Sequence, residues 1–414
     1  MRQTGRVSAL LMTEAGRAAV DEAVQTLATL DEPDPVRLTG RARQLLDPEL
    51  ATAALAQLRL RHRATAKFGA AADRLWFTSD GLEQASRPEV ADHRAARFAA
   101  AGVRSVLDLC CGLGGDVLAF QRAGLSVEAV ERDPLTAELA RANTGAPVHT
   151  GEAEAADRSP ADSVFLDPAR RGARGRTFDP DAFSPGFDFT LAVLAEHRPA
   201  AAKLAPGLEH ALIPADHEAE WVSWAGEVKE LVLYSPAFGD PSGPRVTRRA
   251  TLLRPDGRPP GLPAPVAVTV TDPATLTDLD PAGDRIAGIG EYLYEPDGAV
   301  IRAGLVQQAA AVLDGWRIAA PLAYLSTDRP VATLLARGYR VLDVLPFSVR
   351  HLRTELRRRE VGIVEIKKRG VDVDPAGLRR ELKPTGPNRI TVLLARLGEG
   401  ATSRRVAVLA EPLS

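Results

Sequence analysis

The chain is poor in several residue types and patterns, and each shortage excludes something. Its 414 residues include two cysteines, Cys110 and Cys111, whose adjacency rules out both a disulfide framework and a CxxC metal knuckle. A reducing compartment, the cytoplasm, is expected. No run of about 18 uncharged apolar residues occurs, and Met1 to Arg17 has no continuous apolar stretch behind its basic residues, so neither membrane insertion nor secretion is expected. The seven histidines are scattered without ligand spacing, and no metal site is expected. Lysine is scarce too, six against 46 arginines, a usage typical of GC-rich coding sequence.

What is present describes a globular enzyme-sized protein. Apolar residues make up 45% and charged residues 26%, and the length suggests two or three domains. The net charge of −2 conceals an asymmetry. From Arg337 onward there are 17 Lys plus Arg against 9 Asp plus Glu, a balance of +8, which leaves −10 for the rest. A locally basic region matters more for nucleic-acid binding than the total charge does.

Along the chain, residues 1–95 read as a helical domain, with Leu45, Leu50, Leu55 and Leu58 near helical spacing and Trp76 and Phe77 as core residues. From Val103 short apolar runs alternate with helices, which predicts βαβ units and a parallel sheet over 96–255. Strands are expected at 103–109, 126–131, 148–150, 163–167 and 201–205, and the runs 228–234 and 246–253 look like a closing antiparallel hairpin. The segment Arg254–Pro265 holds five prolines and two glycines in twelve residues, so 256–265 reads as a linker. Beyond it, 266–414 mixes a helix over 300–313 with strands at 362–368 and 389–397. No internal repeat is visible.

Chemistry concentrates at two strand ends. The first, Val106-Leu107-Asp108-Leu109-Cys110-Cys111-Gly112-Leu113-Gly114-Gly115-Asp116, is a strand ending in an acid, a glycine turn and a helix start. Glycines let a ligand approach the backbone, and the helix start offers free N–H groups. Nineteen residues after Gly112, Glu131 closes the next strand, where a carboxylate can accept both hydroxyls of a ribose. A dinucleotide fingerprint would need glycine where Val117 stands, and Asp108 suits an ammonium better than a pyrophosphate, so a sulfonium amino-acid nucleoside is preferred over a nicotinamide cofactor. The second strand end is Phe165-Leu166-Asp167-Pro168-Ala169-Arg170. Its carboxylate and the Pro168 carbonyl can accept hydrogen bonds from an amine and aim its lone pair at a methyl group, a task of positioning rather than of acid or base strength.

On these motifs, residues from about 75 to 255 resemble the class I S-adenosylmethionine (SAM)-dependent methyltransferases. Within them the chain is similar to the RNA-cap guanine-N2, trimethylguanosine synthase-like enzymes, whose G-x-G-G-[ND] signature and following aromatic match Gly112 to Asp116 and Ala119-Phe120. The region Phe77 to Phe98, together with Tyr292-Leu293-Tyr294-Glu295-Pro296-Asp297 and Glu365-Ile366-Lys367-Lys368-Arg369-Gly370, resembles bacterial methyltransferases that carry a THUMP-like C-terminal domain. The fold implied is an α/β Rossmann-like sheet with an N-terminal helical cap and a C-terminal α+β domain, basic and THUMP-like, over 266–414. The resemblance implies SAM as cofactor, with Asp108, Gly112 and Gly114 at its methionine part, Glu131 at the ribose, Glu152 or Glu154 at the adenine, and Cys110 and Arg132 completing the contacts. Asp167, Pro168 and Arg170 would form the catalytic corner.

The chain departs from the amine-methylating pattern after Pro168, where Ala169 and Arg170 replace a second proline and a stacking aromatic. A guanidinium can stack on a base. Uracil-5 methyltransferases also place an arginine there, but they need a downstream nucleophilic cysteine. Here both cysteines sit in the cofactor turn and read as packing residues. Four arginines in seven residues follow the corner, and Arg171, Arg174 and Arg176 are expected to bind substrate phosphates. The function expected is SAM-dependent methylation of RNA, at an amine nitrogen of a base. The alternatives are methylation of a protein or small molecule, or non-catalytic binding of SAM and RNA. The RNA species and the oligomeric state stay open.

Overall fold

The computed structural model describes residues 9–170, 183–239, 245–255, 266–272, 285–320, 322–398 and 403–413. The chain forms two compact units, Met1–His217 with Val232–Pro241, and Glu218–Leu231 with Ser242–Ser414. Among the described residues no helix is long and apolar enough to cross a membrane.

The first unit opens with α1 (Glu14–Ala28), α2 (Pro35–Leu45), α3 (Pro48–Phe68), α4 (Ser79–Gln84) and α5 (Pro88–Ala100). Their starts are written locally. Prolines begin α2, α3 and α5, where a missing N–H costs nothing, and Thr13, Asp34 and Thr78 accept from the unpaired N–H groups of Gly16, Val36 and Gly81. Their apolar faces bury Val20, Val24, Leu27 and Leu55 with Trp76, Phe77 and Leu82, in a core that also takes in Leu113 and Leu139. Trp76 and Phe77 are thus core residues, as their sequence setting suggested.

Two amide side chains, one buried and one half-buried, tie this helical layer together and to the rest of the unit. The Gln57 side chain donates to the Phe77 carbonyl at 2.8 Å and accepts from its N–H at 3.2 Å. Asn143 pairs in the same way with Trp76, at 3.1 and 2.7 Å, and donates a further bond to the Leu113 carbonyl at 3.0 Å. Leu113 lies inside the glycine turn, so the helical layer is fastened to that turn.

The sheet of this unit follows the expected alternation: β1 (Ser105–Asp108), α6 (Gly115–Arg122), β2 (Ser126–Glu131), α7 (Pro134–Thr144), β3 (Val148–Thr150), β4 (Ser163–Leu166), the short paired strands β5 (Ala169–Arg170) and β6 (Phe183–Ser184), α8 (Phe187–Leu194) and β7 (Ala200–Leu204). The strands run parallel in the order β7-β4-β1-β2-β3. The direction of winding reverses between β1 and β4, which leaves a crevice at their carboxyl ends, the ligand-binding place of such sheets. Phe98, Phe120 and Phe165 pack edge to face beneath it, with ring centroids 4.9 to 6.3 Å apart.

The second unit contains β8 (Glu218–Trp224), the first part of β9 (Glu227–Tyr234), β10 (Arg248–Arg254) and β11 (Val266–Thr271). Here the structure corrects the expected hairpin between 228–234 and 246–253. β10 pairs in parallel with β8, a strand the sequence reading missed, and antiparallel with β11. β8 was masked by its Glu-Ala-Glu start, yet Glu220 is fully buried and accepts from the Thr251 hydroxyl at 2.5 Å. The proline-rich segment 256–265 lies outside the described residues, and the strands on either side of it are hydrogen-bonded partners.

The rest of this unit comprises β12 (Tyr292–Pro296), α9 (Gly298–Ala303), α10 (Val306–Val312), β13 (Trp316–Arg317), β14 (Leu325–Thr327), β15 (Ala336–Pro346), α11 (Val349–Arg358), β16 (Val361–Arg369), α12 (Pro375–Leu382), β17 (Asn388–Leu397) and β18 (Arg404–Pro412). Seven strands form one sheet in the order β13-β14-β12-β15-β18-β17-β16. The single helix expected over 300–313 is two, because Gly304 adopts a left-handed φ of +76° and ends the first.

Asn143→Ala removes three hydrogen bonds to backbone groups around Trp76 and Leu113. It is expected to lower the stability of the first unit by about 1–3 kcal/mol, as read by urea unfolding. An unchanged unfolding midpoint would show that these bonds do not hold the helical layer.

Candidate active site

The glycine turn is clamped between its neighbouring strands. The Leu109 N–H donates to the Phe165 carbonyl at 2.9 Å, the Cys111 N–H to Val130 at 3.2 Å, and the Gly114 N–H closes the turn on Cys111 at 2.9 Å. Gly112 and Gly114 both have positive φ, +54° and +84°. A Cβ at Gly114 would lie 2.4 Å from the Thr144 methyl, whereas one at Gly112 would meet nothing within 4 Å, so the turn is open on that side.

Asp108, at the tip of β1, is fully buried. One carboxylate oxygen accepts from the Cys110 N–H at 3.3 Å, and the other, buried as well, has no hydrogen-bond partner among the described residues. Burial pushes this carboxyl up to about 7. The Cys110 N–H and Arg94 pull it down, and the charges of Asp167 and Glu131 raise it further. Burial also holds both thiols well above the usual range, which suits packing residues and not nucleophiles.

At the tip of β2, Glu131 spans the turn. Its carboxylate accepts from the Gly112 N–H at 3.1 Å and from the Asp133 N–H at 2.9 Å. Arg132 is exposed and donates to the Ser184 hydroxyl at 2.8 Å. Glu152 and Glu154 are both exposed after β3, and the charge of Glu154 reaches Cys110.

Asp167 and Pro168 follow β4, which is paired with β1 so that Phe165 lies beside Asp108. The charge of Asp167, two residues beyond Phe165, is among those that raise the Asp108 carboxyl, so the two strand ends are neighbours. Asp167 accepts from the Lys203 ammonium at 2.5 Å, and Lys203, on β7, also donates to the Ser86 hydroxyl at 3.2 Å. Ser86 donates to one oxygen of buried Asp116 at 3.1 Å, and Arg94 is bound to the other. Arg94 is buried, with its guanidinium over the Phe165 ring.

The structure therefore brings Asp108, Cys110, Gly112, Gly114 and Glu131 together with Asp167 and Pro168. The side chain of Arg170, and all of Arg171, Arg174 and Arg176, lie outside what is described. Sequence reading missed Lys203, Ser86, Asp116 and Arg94 as members of this network. The one available signal was a lysine within a predicted strand in a chain that has six lysines against 46 arginines. Among the described residues no cluster of His, Cys, Asp and Glu is suited to a metal ion.

Comparison with known proteins decides the family. The chain is 33% identical over 365 residues to two Mycobacterium tuberculosis proteins, from strains CDC 1551 and H37Rv, each named an uncharacterized S-adenosylmethionine-dependent methyltransferase. The match covers 85% of this chain and 95% of theirs. The chain belongs to the S-adenosylmethionine-dependent methyltransferases. A solved structure of a Porphyromonas gingivalis W83 protein described as a methyltransferase shares this methyltransferase's fold with a TM-score of 0.70, at 20% identity, covering 95% of this chain and 98% of that one. Residues 336–412 match the THUMP domain-like family, and residues 6–64 match a domain family of unknown function. The α/β Rossmann-like class I fold, the enzymatic class and SAM as methyl donor all agree with the reading of the sequence. The site fits that donor, since the orphaned oxygen of Asp108 lacks a cationic hydrogen-bond donor and the open side of Gly112 leaves room beside it.

A carboxyl whose folded value lies above its ordinary one favours the fold while protonated, and that contribution is lost as pH rises through the folded value. The stability of the ligand-free methyltransferase should therefore decline between about pH 4 and 7 on account of Asp108. Asp108→Asn should flatten that part of a urea-unfolding pH series. Equal slopes in the two proteins would refute the shift.

Proposed function

We propose that this methyltransferase modifies RNA, at an amine nitrogen of a base held by Asp167 and Pro168. The reading of the corner is supported by the pairing of β1 with β4, which sets Asp108 beside Phe165, two residues before Asp167, at the carboxyl ends of adjacent strands. In this reading Asp108, Cys110, Gly112 and Gly114 hold the methionine part of SAM. Glu131 takes the ribose hydroxyls, Arg132 flanks it, and Glu152 or Glu154 meets the adenine. The acidic rim of Asp108, Glu131, Glu154 and Asp167 favours a cationic donor.

When bound, SAM supplies a methyl group on a positively charged sulfur, whose departure as a neutral thioether needs no acid. The protein's part is placement. Asp167 and the Pro168 carbonyl accept from the N–H groups of the target and turn its lone pair toward the donor. Asp167, or water beside it, would take up the proton that the target nitrogen gives up on methylation.

RNA is supported by charge and by the THUMP domain-like match. The C-terminal part carries the +8 balance, and Arg350, Arg357 and Arg358 of α11, Lys368 of β16 and Arg379 and Arg380 of α12 are all exposed there. We assign Arg170 to the corner itself and Arg171, Arg174 and Arg176, next to it in sequence, to the substrate backbone.

Glu131→Ala should weaken SAM binding by about 1–3 kcal/mol in calorimetry, the worth of hydrogen bonds to a charged group, and unchanged affinity would remove Glu131 from the ribose. Tritium from labelled SAM should enter total RNA with the wild type and not with Asp167→Ala, which keeps its SAM affinity. Label found in protein or metabolite fractions and absent from RNA would overturn the choice of substrate.

A further inference from the structure

The acceptor corner is not an isolated carboxylate. Lys203 reaches it from the neighbouring strand, β7, which pairs in parallel with β4. Its side chain is largely buried and its ammonium has two acceptors at hydrogen-bond distance, Asp167 at 2.5 Å and Ser86 at 3.2 Å. A buried ammonium is costly unless paired, so its position is set by these partners. Ser86 is fixed in turn. It lies between α4 and α5, is buried, and donates to Asp116, whose second oxygen is bound by the buried Arg94. Asp116 belongs to the first turn of α6, the helix that follows the glycine turn. A continuous chain of charged and hydroxyl groups therefore links the start of the cofactor helix to the carboxylate of the acceptor corner, and Lys203 is its last member.

We propose that Lys203 is a positioning residue of methyl transfer: its ammonium pins one oxygen of the Asp167 carboxylate, leaving the other to face the acceptor. This rests on the assignment of Asp167 to the acceptor corner. A carboxylate on a freely rotating side chain presents its oxygens in many directions, whereas one held by a charge-assisted bond to an anchored ammonium presents a single oxygen in a fixed direction. Lys203 touches neither substrate nor donor in this scheme and acts through Asp167. It also places a positive charge beside a rim that otherwise carries Asp108, Glu131 and Glu154, so that Asp167 does not have to be held against their repulsion alone.

The test compares Lys203→Met, Lys203→Arg, Asp167→Asn and the Lys203→Met/Asp167→Asn pair in the full chain. Acceptor is whichever lysate fraction, RNA, protein or small molecules, the wild type labels from tritiated SAM. If that fraction is not RNA, the RNA reading fails, and Lys203 is judged on the fraction that is labelled. Lys203→Met should lower the rate at saturating acceptor at least 30-fold. The SAM dissociation constant and the acceptor concentration at half rate should stay within threefold. Lys203→Arg should recover part of the rate. In the Asp167→Asn background Lys203→Met should cost no further factor, because the residue it acts through is already gone; a structural lysine would add its own loss.

A second readout needs no turnover. In 15N spectra of the six lysine ammonium groups, assigned by the loss of one signal in Lys203→Arg, the Lys203 signal should move on Asp167→Asn while the other five stay in place. This measurement also decides the matter if Lys203→Met does not fold. A Lys203→Met rate within threefold of wild type, additive losses in the double variant, or a Lys203 signal indifferent to Asp167→Asn would each overturn the proposal.

Discussion

Burying a carboxylate at the tip of a strand is expensive, and Asp108 is buried with one backbone N–H as its sole hydrogen-bond donor among the described residues. The rest of the site is arranged around that cost. Proton uptake lessens it in the ligand-free protein, since the carboxyl titrates at about 7. A bound cation does the same with the carboxylate ionised, and a SAM-dependent methyltransferase has such a cation in the ammonium and sulfonium of its donor. The glycine turn, clamped at Leu109 and Cys111 by the strands on either side, is open at Gly112, the space that the proposed site gives to that cation.

The other acids of the crevice are treated differently, and the contrast divides their roles. Asp116 is buried but matched by Arg94 and Ser86, which makes it a structural anchor at the start of α6. Glu131 is half-buried and satisfied by two backbone N–H groups, each of its oxygens keeping a lone pair for a further donor. Asp167 is paired with a lysine. Of these four carboxylates, Asp108 alone has an oxygen buried with no partner among the described residues.

Much of this was readable in the chain itself. Strand ends at Asp108, Glu131 and Asp167 follow from short apolar runs closed by an acid, and the turn from glycines that must take positive φ. The pairing of β1 with β4, which sets the corner beside the turn, follows from the order of strands in a sheet of this kind. What stayed hidden depends on contacts distant in sequence. Lys203 stands 36 residues after Asp167 and 117 after Ser86, and nothing in its neighbourhood Ala-Ala-Lys-Leu-Ala marks it as part of a polar network. Asn143 reads as an ordinary helix end until its amide is seen to hold Trp76 and Leu113. β8 was lost because its buried glutamate mimics an exposed face, and with it the pairing of β10.

The path of the chain through its two units carries a practical consequence. It leaves the first at His217, returns at Val232 and leaves again after Pro241, so Glu218–Leu231 belongs to the later unit while lying inside the span of the earlier one. No single cut in the polypeptide releases either unit whole. A fragment ending near 241 keeps β8 without the parallel partner β10, and one beginning there has β10 without β8. Dissection by limited proteolysis or by truncation cloning would yield pieces with unsatisfied strand edges, prone to aggregate, and silence from such fragments would say nothing about the activity of the intact enzyme.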